Sequence, residues 1–296
     1  MYTRITLTTL GFFLVSLLSA QTSFQVVSKV IEEEFPYSPG YEVNIEGERA
    51  EILVDTWDKQ SVKVVMEIIS KHPDKSIAER DLEAVKYSIE QHGQQIYFRN
   101  YISQDSGQPK PESQLKTIYT VYLPAECPVY LKNYFGEANV SNLERMLRLQ
   151  SEFTAIFLKN LHGETKVDSR FGDITGDGLN GIVSITTHRS DITLMNLTGD
   201  FDIHSKFGVI KLFTDESLVN MNIEAERSDV YFFDPHPTRY GYLLTAHYGT
   251  ITAPLDLKFN YLENTQPIKQ AVFNPGGETG TISVKISFGD IIIRNP

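Results

Sequence analysis

The apolar residues of this chain recur every 18 positions between about residue 133 and residue 212. Three of the resulting columns are Ile156, Ile174, Ile192 and Ile210; Leu143, Leu161, Leu179 and Leu197; and Leu149, Val167, Ile185 and Ile203. Within each unit, apolar and polar residues alternate, which is typical of β-strands and not of helices. Asn and Gly follow these short runs and favour tight corners, because both tolerate a positive φ.

One phrase is repeated along the chain with small changes. It is written NYFGEAN at 133–139, SRFGDIT at 169–175, SKFGVIK at 205–211 and ISFGDII at 286–292. A further column beside it contains Phe135, Phe153, Phe171, Arg189 and Phe207. A unit of two short strands cannot bury its apolar side alone, so the repeats must stack on one another. The phrase therefore marks a corner that every stacked unit turns in the same way.

The pattern predicts an all-β fold, a right-handed parallel β-helix with about 18 residues per coil over residues 128–296. Left-handed hexapeptide helices also use 18 residues per coil, but they need an apolar residue at every sixth position. The positions six and twelve after Ile174 are Asn180 and Thr186, which excludes that fold. Residues 21–127 are predicted to form a β-rich cap, because a first coil would otherwise expose an unpaired edge. One helix is predicted at about 76–92, where Ser76 and Glu79 have capping-box spacing and Gly93 suits the stop. Its apolar stripe comprises Ile77, Leu82, Val85 and Ile89.

Charge and composition restrict the partners. Residues 1–20 have the basic start, apolar stretch and small-residue exit of a secretory signal peptide. The expected location is therefore outside the cytoplasm, in the periplasm or at the cell surface. The net charge of −11 argues against nucleic acid as a partner. No later stretch is apolar for long enough to predict a membrane span. The single cysteine, Cys127, cannot form an internal disulfide and is expected to be packed as a small apolar residue.

Several motifs together resemble a bacterial envelope family known as the putative-adhesin domain family of unknown function. The similar pieces are Trp57-Asp58, YLPAECPVYLKNYFGEANV, SRFGDIT, HRSDITL, RSDVYF and SFGDIII, which cover nearly the whole chain after residue 20. The resemblance implies a parallel β-helix built from degenerate G-D-I and S-D-I repeats. It implies no catalytic residues.

The candidate site residues lie at the repeated corner. Glu137, Asp173, Asp191, Asp229 and Asp290 form an acidic column there. Asp173, Asp177 and Asp191 are the candidate metal ligands, because stacked carboxylates attract a cation. The alternative is that each aspartate accepts hydrogen bonds from its own turn, and the calcium-loop match of DITGDGLNG fails at its twelfth place, Ser184. Arg170, His188 and Lys206 form a basic column that is either a contact strip for an acidic glycan or a solvated face.

These observations predict a non-catalytic, exported β-solenoid of the bacterial envelope, an adhesin or scaffold that binds a polysaccharide or an envelope protein without a cofactor. Two alternatives stay open. One is a periplasmic partner of a signalling system that senses the envelope. The other is a glycan-cleaving β-helix enzyme, which would need two or three carboxylates converging on one groove.

Overall fold

A computed structural model describes residues 23–103, 109–215, 217, 219–276 and 280–295. The predicted signal peptide at 1–20 lies outside these residues. The strands are β1 Gln25–Pro36, β2 Glu42–Thr56, β3 Ser61–His72, β4 Val85–His92, β5 Gln95–Ile102, β6 Gln114–Leu123, β7 Val129–Ser141, β8 Met146–Arg170, β9 Ile174–His188, β10 Ile192–Met195, β11 Thr198–Phe213, β12 Val219–Phe233, β13 Gly241–His247, β14 Ile251–Thr252, β15 Asn260–Asn264, β16 Ile268–Phe273, β17 Thr281–Ser287 and β18 Ile291–Arg294. Helix α1 spans Lys75–Leu82, and a 3₁₀ turn spans Pro237–Arg239.

The prediction of an all-β fold with a mostly parallel sheet is confirmed. Strands β7 to β11 pair in parallel with a constant offset of 18 residues, so that Ile156 lies beside Ile174 and Ile174 beside Ile192. We call each level of this ladder a rung. The three apolar columns predicted from the sequence are all buried in one hydrophobic core. The strands bend at left-handed residues such as Phe153, and the limbs on both sides of a bend share that core.

The last rungs do not follow the order of the chain. The sequence spacing suggests that Ile291 lies two coils beyond Ile251. Instead, β17 and β18 lie between β12 and the pair β13 and β14, so that Ile291 contacts Val230 on one side and Ile251 on the other. The antiparallel strands β16 and β15 then cover the outer edge of β13. Such a cover removes an open parallel edge, which is a site for unwanted strand pairing.

The first rungs are also out of order. Strand β2 pairs in parallel with β7 on one edge and with β5 and β6 on the other edge. Strand β3 pairs antiparallel with β6 and with β1, which widens this end of the sheet. Cys127 is fully buried here, and burial raises the pKa of its thiol to about 12, as expected for a packed and unreactive cysteine.

The predicted helix at 76–92 is wrong in its second half. Helix α1 ends at Leu82, and residues 85–92 form β4, which pairs antiparallel with β5. Gly93, with φ +62°, turns the β4–β5 hairpin and does not end a helix. The N-cap is Asp74, whose carboxylate accepts the amide of Ser76 at 2.8 Å. The apolar stripe expected for one long helix is divided between the helix and the hairpin, because pairing with β5 outweighs the local helical pattern.

Asp81 fastens α1 to the segment before β6, and this contact should make stability depend on pH. Burial alone would raise the pKa of Asp81, but the hydrogen bonds from Arg80 and from the amides of Ser113 and Glu112 outweigh burial and lower it. A lowered folded-state pKa adds stability above the unfolded value of about 3.9, and that stability is lost as pH falls through the folded pKa.

We therefore expect D81N to be less stable than the native protein by about 1–3 kcal/mol at pH 7. Urea unfolding at a series of pH values should show this difference shrinking below about pH 4. A difference that stays constant down to pH 2 would contradict the role of the ionised carboxylate.

Candidate binding trough and aromatic–arginine corner

A continuous trough runs along the outer face of the sheet, perpendicular to the strands. It joins three concavities of about 650, 190 and 690 Å³. Lys132 and Gln150 line both the first and the second concavity, and Asp168 and Arg170 line both the second and the third. The trough crosses rungs contributed by β4, β5, β2, β7, the two ends of β8, β9, β11, β12 and β17. Ten rungs with a spacing of about 4.8 Å give a length of roughly 43 Å.

The trough is lined by equal numbers of acidic and basic side chains, unlike the protein as a whole. Its cations are Arg99, Lys132, Arg148, Arg170, Lys206 and Lys285, and its anions are Glu46, Glu90, Glu152, Asp168, Glu224 and Glu226. Tyr97, Tyr130 and Tyr134 add aromatic surface. The chain carries a net charge of −11, so a balanced trough is its less negative face. An anionic ligand is therefore repelled less here than elsewhere.

The predicted contact strip lies in the trough. Arg170, His188 and Lys206 occupy neighbouring rungs in register. Arg170 pairs with Glu152 at 3.5 Å, and Lys206 pairs with Glu226 at 3.1 Å. These side chains are about half exposed, and ion pairs of that kind contribute little to stability, so the cations can exchange partners with a ligand.

The repeated corner borders the trough and forms what we call the aromatic–arginine corner. On successive rungs it comprises Arg49, Phe135, Phe153, Phe171, Arg189, Phe207, Arg227, Phe288 and Tyr248. All nine have a left-handed backbone, with φ between 50° and 62°. That conformation is unfavourable for bulky side chains and costs roughly 1–2 kcal/mol per residue. A second left-handed corner of the same strands uses Asn142, Asn160, Gly178 and Asn196 instead.

The side chains of the aromatic–arginine corner stack along the ladder. The rings of Phe135, Phe153 and Phe171 are nearly parallel, with centroids 4.9 and 4.8 Å apart. The Arg189 guanidinium lies 5.7 Å from the ring centroids of both Phe171 and Phe207. Arg227 continues the stack at 5.3 Å from Phe207. Stacking and cation–π contacts offset part of the backbone cost.

The far end of the stack could be recognised only in part from the sequence. Arg227 lies 6.0 Å from the ring centroid of Phe288, and Phe288 stacks on Tyr248 at 5.3 Å. The column identified from the sequence stops at Phe207, because the rungs that follow are out of chain order. A usable signal exists in the parallel between HRSDIT at 188–193 and ERSDVY at 226–231, where Arg precedes Ser-Asp in both.

The four aspartates of the acidic column accept hydrogen bonds from backbone amides. The Asp173 carboxylate accepts the amide of Asp191 at 2.9 Å, and Asp191 accepts the amide of Val209 at 2.8 Å. Asp229 and Asp290 repeat the arrangement toward the end of the ladder. The bonds therefore run to the next rung and not within one turn, as the hydrogen-bonding alternative assumed. Hydrogen bonds between an ionised carboxylate and a backbone amide are strong, so these bonds stabilise the corner.

The third metal candidate lies at the other corner. Asp177 accepts a hydrogen bond from the Asn196 side chain at 2.6 Å and belongs to strand β9. The DITGDG segment is thus a strand with a bend and does not form a calcium-binding loop. Among the described residues, no group of three or more His, Cys, Asp and Glu side chains is placed to hold a metal ion. The one α-helix is eight residues long, and in the described parts of the chain no helix has the length and apolar character needed to cross a membrane.

Comparison with known proteins finds only distant structural similarity. No family model and no curated protein matches the chain. A solved structure described as a putative adhesin from Bacteroides fragilis is 9% identical and covers 90% of this chain and 97% of its own, with a TM-score of 0.42. A putative adhesin from Parabacteroides merdae is 10% identical over 90% of this chain and 96% of its own, with a TM-score of 0.34. A putative lipid binding protein from Parabacteroides distasonis is 11% identical and covers 90% of this chain and 96% of its own, with a TM-score of 0.29. Likenesses of this kind carry no functional argument, so the function must be inferred from the trough itself.

Proposed function

We propose that the protein is a non-catalytic binding protein of the bacterial envelope, an adhesin or scaffold, whose trough holds a linear polysaccharide. The observation that carries the proposal is the continuity of the trough over ten rungs, roughly 43 Å. A small ligand would need only one enclosed cavity, whereas a long open trough suits a chain with many weak contacts.

The rigidity that such binding needs would come from a parallel β-helix. The constant offset of 18 residues, the left-handed corners and the core shared by both limbs of each strand all support that fold. In a solenoid, every rung repeats the same outward positions at a fixed spacing. A polymer with regular repeats can therefore contact equivalent side chains along the trough.

A polysaccharide fits this trough better than a peptide does. The backbone amides and carbonyls of the trough strands are used in pairing between rungs. A peptide lying across them could not add as a strand, so it would lack the main-chain hydrogen bonds that give strand addition its affinity. The hydroxyl groups of a sugar chain can instead bond to the polar side chains of the trough, while its C–H faces cover Tyr130 and Tyr134.

The trough carboxylates support binding and not cleavage. Glu152, Glu226 and Glu46 each lie within 3.1–3.6 Å of a lysine or arginine nitrogen, and all three are well exposed. A general acid for glycoside hydrolysis needs an environment that keeps it protonated, which burial provides and a neighbouring cation opposes. The predicted export signal at 1–20 supports an envelope location.

The test is a length series of oligosaccharides measured by titration calorimetry. Affinity should rise with chain length and level off once the ligand spans the trough. Thr186 lies exposed in the middle of the trough, so T186W should weaken binding of long chains by about tenfold or more, because its ring fills the path.

The matched control is T193W, which adds the same ring to the other limb, outside the trough. It should bind as the native protein does. Equal loss in both variants, or no rise of affinity with length, would overturn the proposal. Release of reducing ends from the bound glycan would favour the enzyme alternative.

A further inference from the structure

We propose that the polysaccharide is acidic, and that Arg189 and Arg227 of the aromatic–arginine corner bind its carboxylates. This inference rests on the proposed function and names the class of ligand. Both arginines are exposed, and within the described residues neither takes part in an ion pair.

The stack holds both guanidinium groups ready for a ligand. Arg189 lies between the rings of Phe171 and Phe207, and Arg227 lies between those of Phe207 and Phe288. A ring on each side restricts the motion of each guanidinium, and because both arginines are exposed, their N–H groups are accessible to a ligand. The N–H edge of a guanidinium matches a carboxylate with two parallel hydrogen bonds. Ordering the side chain in advance lowers the entropy cost of binding.

The spacing also suits a polymer. Arg189 and Arg227 are two rungs apart, which is roughly 10 Å. The contact strip of Arg170, His188 and Lys206 borders them on the trough side. Together these groups form a basic patch over four consecutive rungs, opposed by Glu152 and Glu226. A glycan with carboxylates at regular intervals would place its charges along this patch.

The overall charge of the protein selects against denser polyanions. A net charge of −11 repels nucleic acid and anionic lipid surfaces, whose charges extend well beyond the patch. A polyuronate chain carries fewer charges per unit length and offers C–H surface to the ring edges of Phe171 and Phe207 as well.

The experiment compares polygalacturonate, its fully methyl-esterified form and neutral cellohexaose as ligands of the full chain. Native protein should bind polygalacturonate at least about tenfold more tightly than the methyl ester, with an affinity that falls as salt is added. The affinity of R189N/R227N for polygalacturonate should be lower by about tenfold per arginine, and its affinity for the neutral ligands should be unchanged. Asn is the chosen replacement because the chain uses it at the other left-handed corner, so the backbone is kept.

The control is K159N/K211N, which removes the same charge from exposed positions on the other limb. Its affinity for polygalacturonate should be within about twofold of that of the native protein. The two substitutions change only the long-range electrostatic field, which salt screens. Equal loss in both double variants would show that net charge alone acts, and would overturn the arginine site. Equal affinity of the native protein for charged and neutral chains would overturn the acidic class while leaving the proposed function standing. Binding to none of the three, with T186W and T193W indistinguishable, would remove the proposed function itself.

Discussion

G172A is expected to destabilise the protein by on the order of 4 kcal/mol. A Cβ atom at Gly172 would lie 2.0 Å from the carbonyl oxygen of Thr154 on the preceding rung. The obstructing atom belongs to the backbone of a paired strand, so no side-chain rotation can relieve the contact. Relief would require the two rungs to separate, and that would strain the ladder hydrogen bonds on both sides.

The comparison for this prediction is G93A. Gly93 has φ +62°, but no neighbouring atom lies within 4 Å of the place that an alanine methyl group would take. Alanine should therefore cost only about 1 kcal/mol there, through backbone strain. Urea unfolding followed by circular dichroism gives both values. Similar midpoints for the two variants would show that the rungs adapt easily, and the close approach at this corner would then not limit the repeat.

The alternation of residues at this position follows from the same contact. Gly172 and Gly208 lie on either side of Ser190, and the amide of Gly172 donates to the Ser190 hydroxyl at 3.2 Å. The amide of Gly208 donates in the same way to Ser228. A Cβ atom at Gly208 would lie 2.1 Å from the carbonyl oxygen of Ser190 on the preceding rung, the same kind of contact that Gly172 has with Thr154. Glycine at these two positions is therefore a steric requirement of the corner.

D234N is the second large effect that we expect, with a loss of about 3 kcal/mol. The Asp234 carboxylate is fully buried and accepts hydrogen bonds from the Arg239 guanidinium at 2.8 Å, the His236 amide at 2.6 Å and the Thr214 hydroxyl. An amide keeps the size of the side chain but removes the charge opposite a largely buried arginine. Losing one member of a buried ion pair costs more than the pair itself contributes.

The loss should be concentrated at the end of the ladder where β17 lies between β12 and β13. Amide hydrogen exchange should show faster exchange in β13 and β17 in D234N, and native protection in β7 and β8. D256N changes an exposed aspartate in the same region and should stay within about 0.5 kcal/mol of the native protein. Uniform loss of protection along the whole ladder would contradict a local role for Asp234.

The sequence alone was sufficient to predict the strands, the buried positions and the register in the regular middle of this protein. The columns of Ile174 and Leu179 and the corner at Phe171 follow from local rules, because each 18-residue unit meets the same neighbours as the unit before it. Burial, strand direction and register then repeat with the period of the chain. The acidic column and the basic strip could be placed on neighbouring rungs for the same reason.

Only the tertiary structure decided the order of the rungs at the ends of the ladder and the assembly of the candidate site. The position of Ile291 between Val230 and Ile251, and the division of 76–92 into a helix and a hairpin, depend on pairing between segments far apart in sequence. Periodicity carries no information on such pairing. The trough likewise exists because rungs from β5 to β17 lie side by side, and Arg227 joins Phe288 only through the exchanged rung order. Repeated contacts can be derived from a repeated sequence, whereas contacts made once by distant segments require the fold.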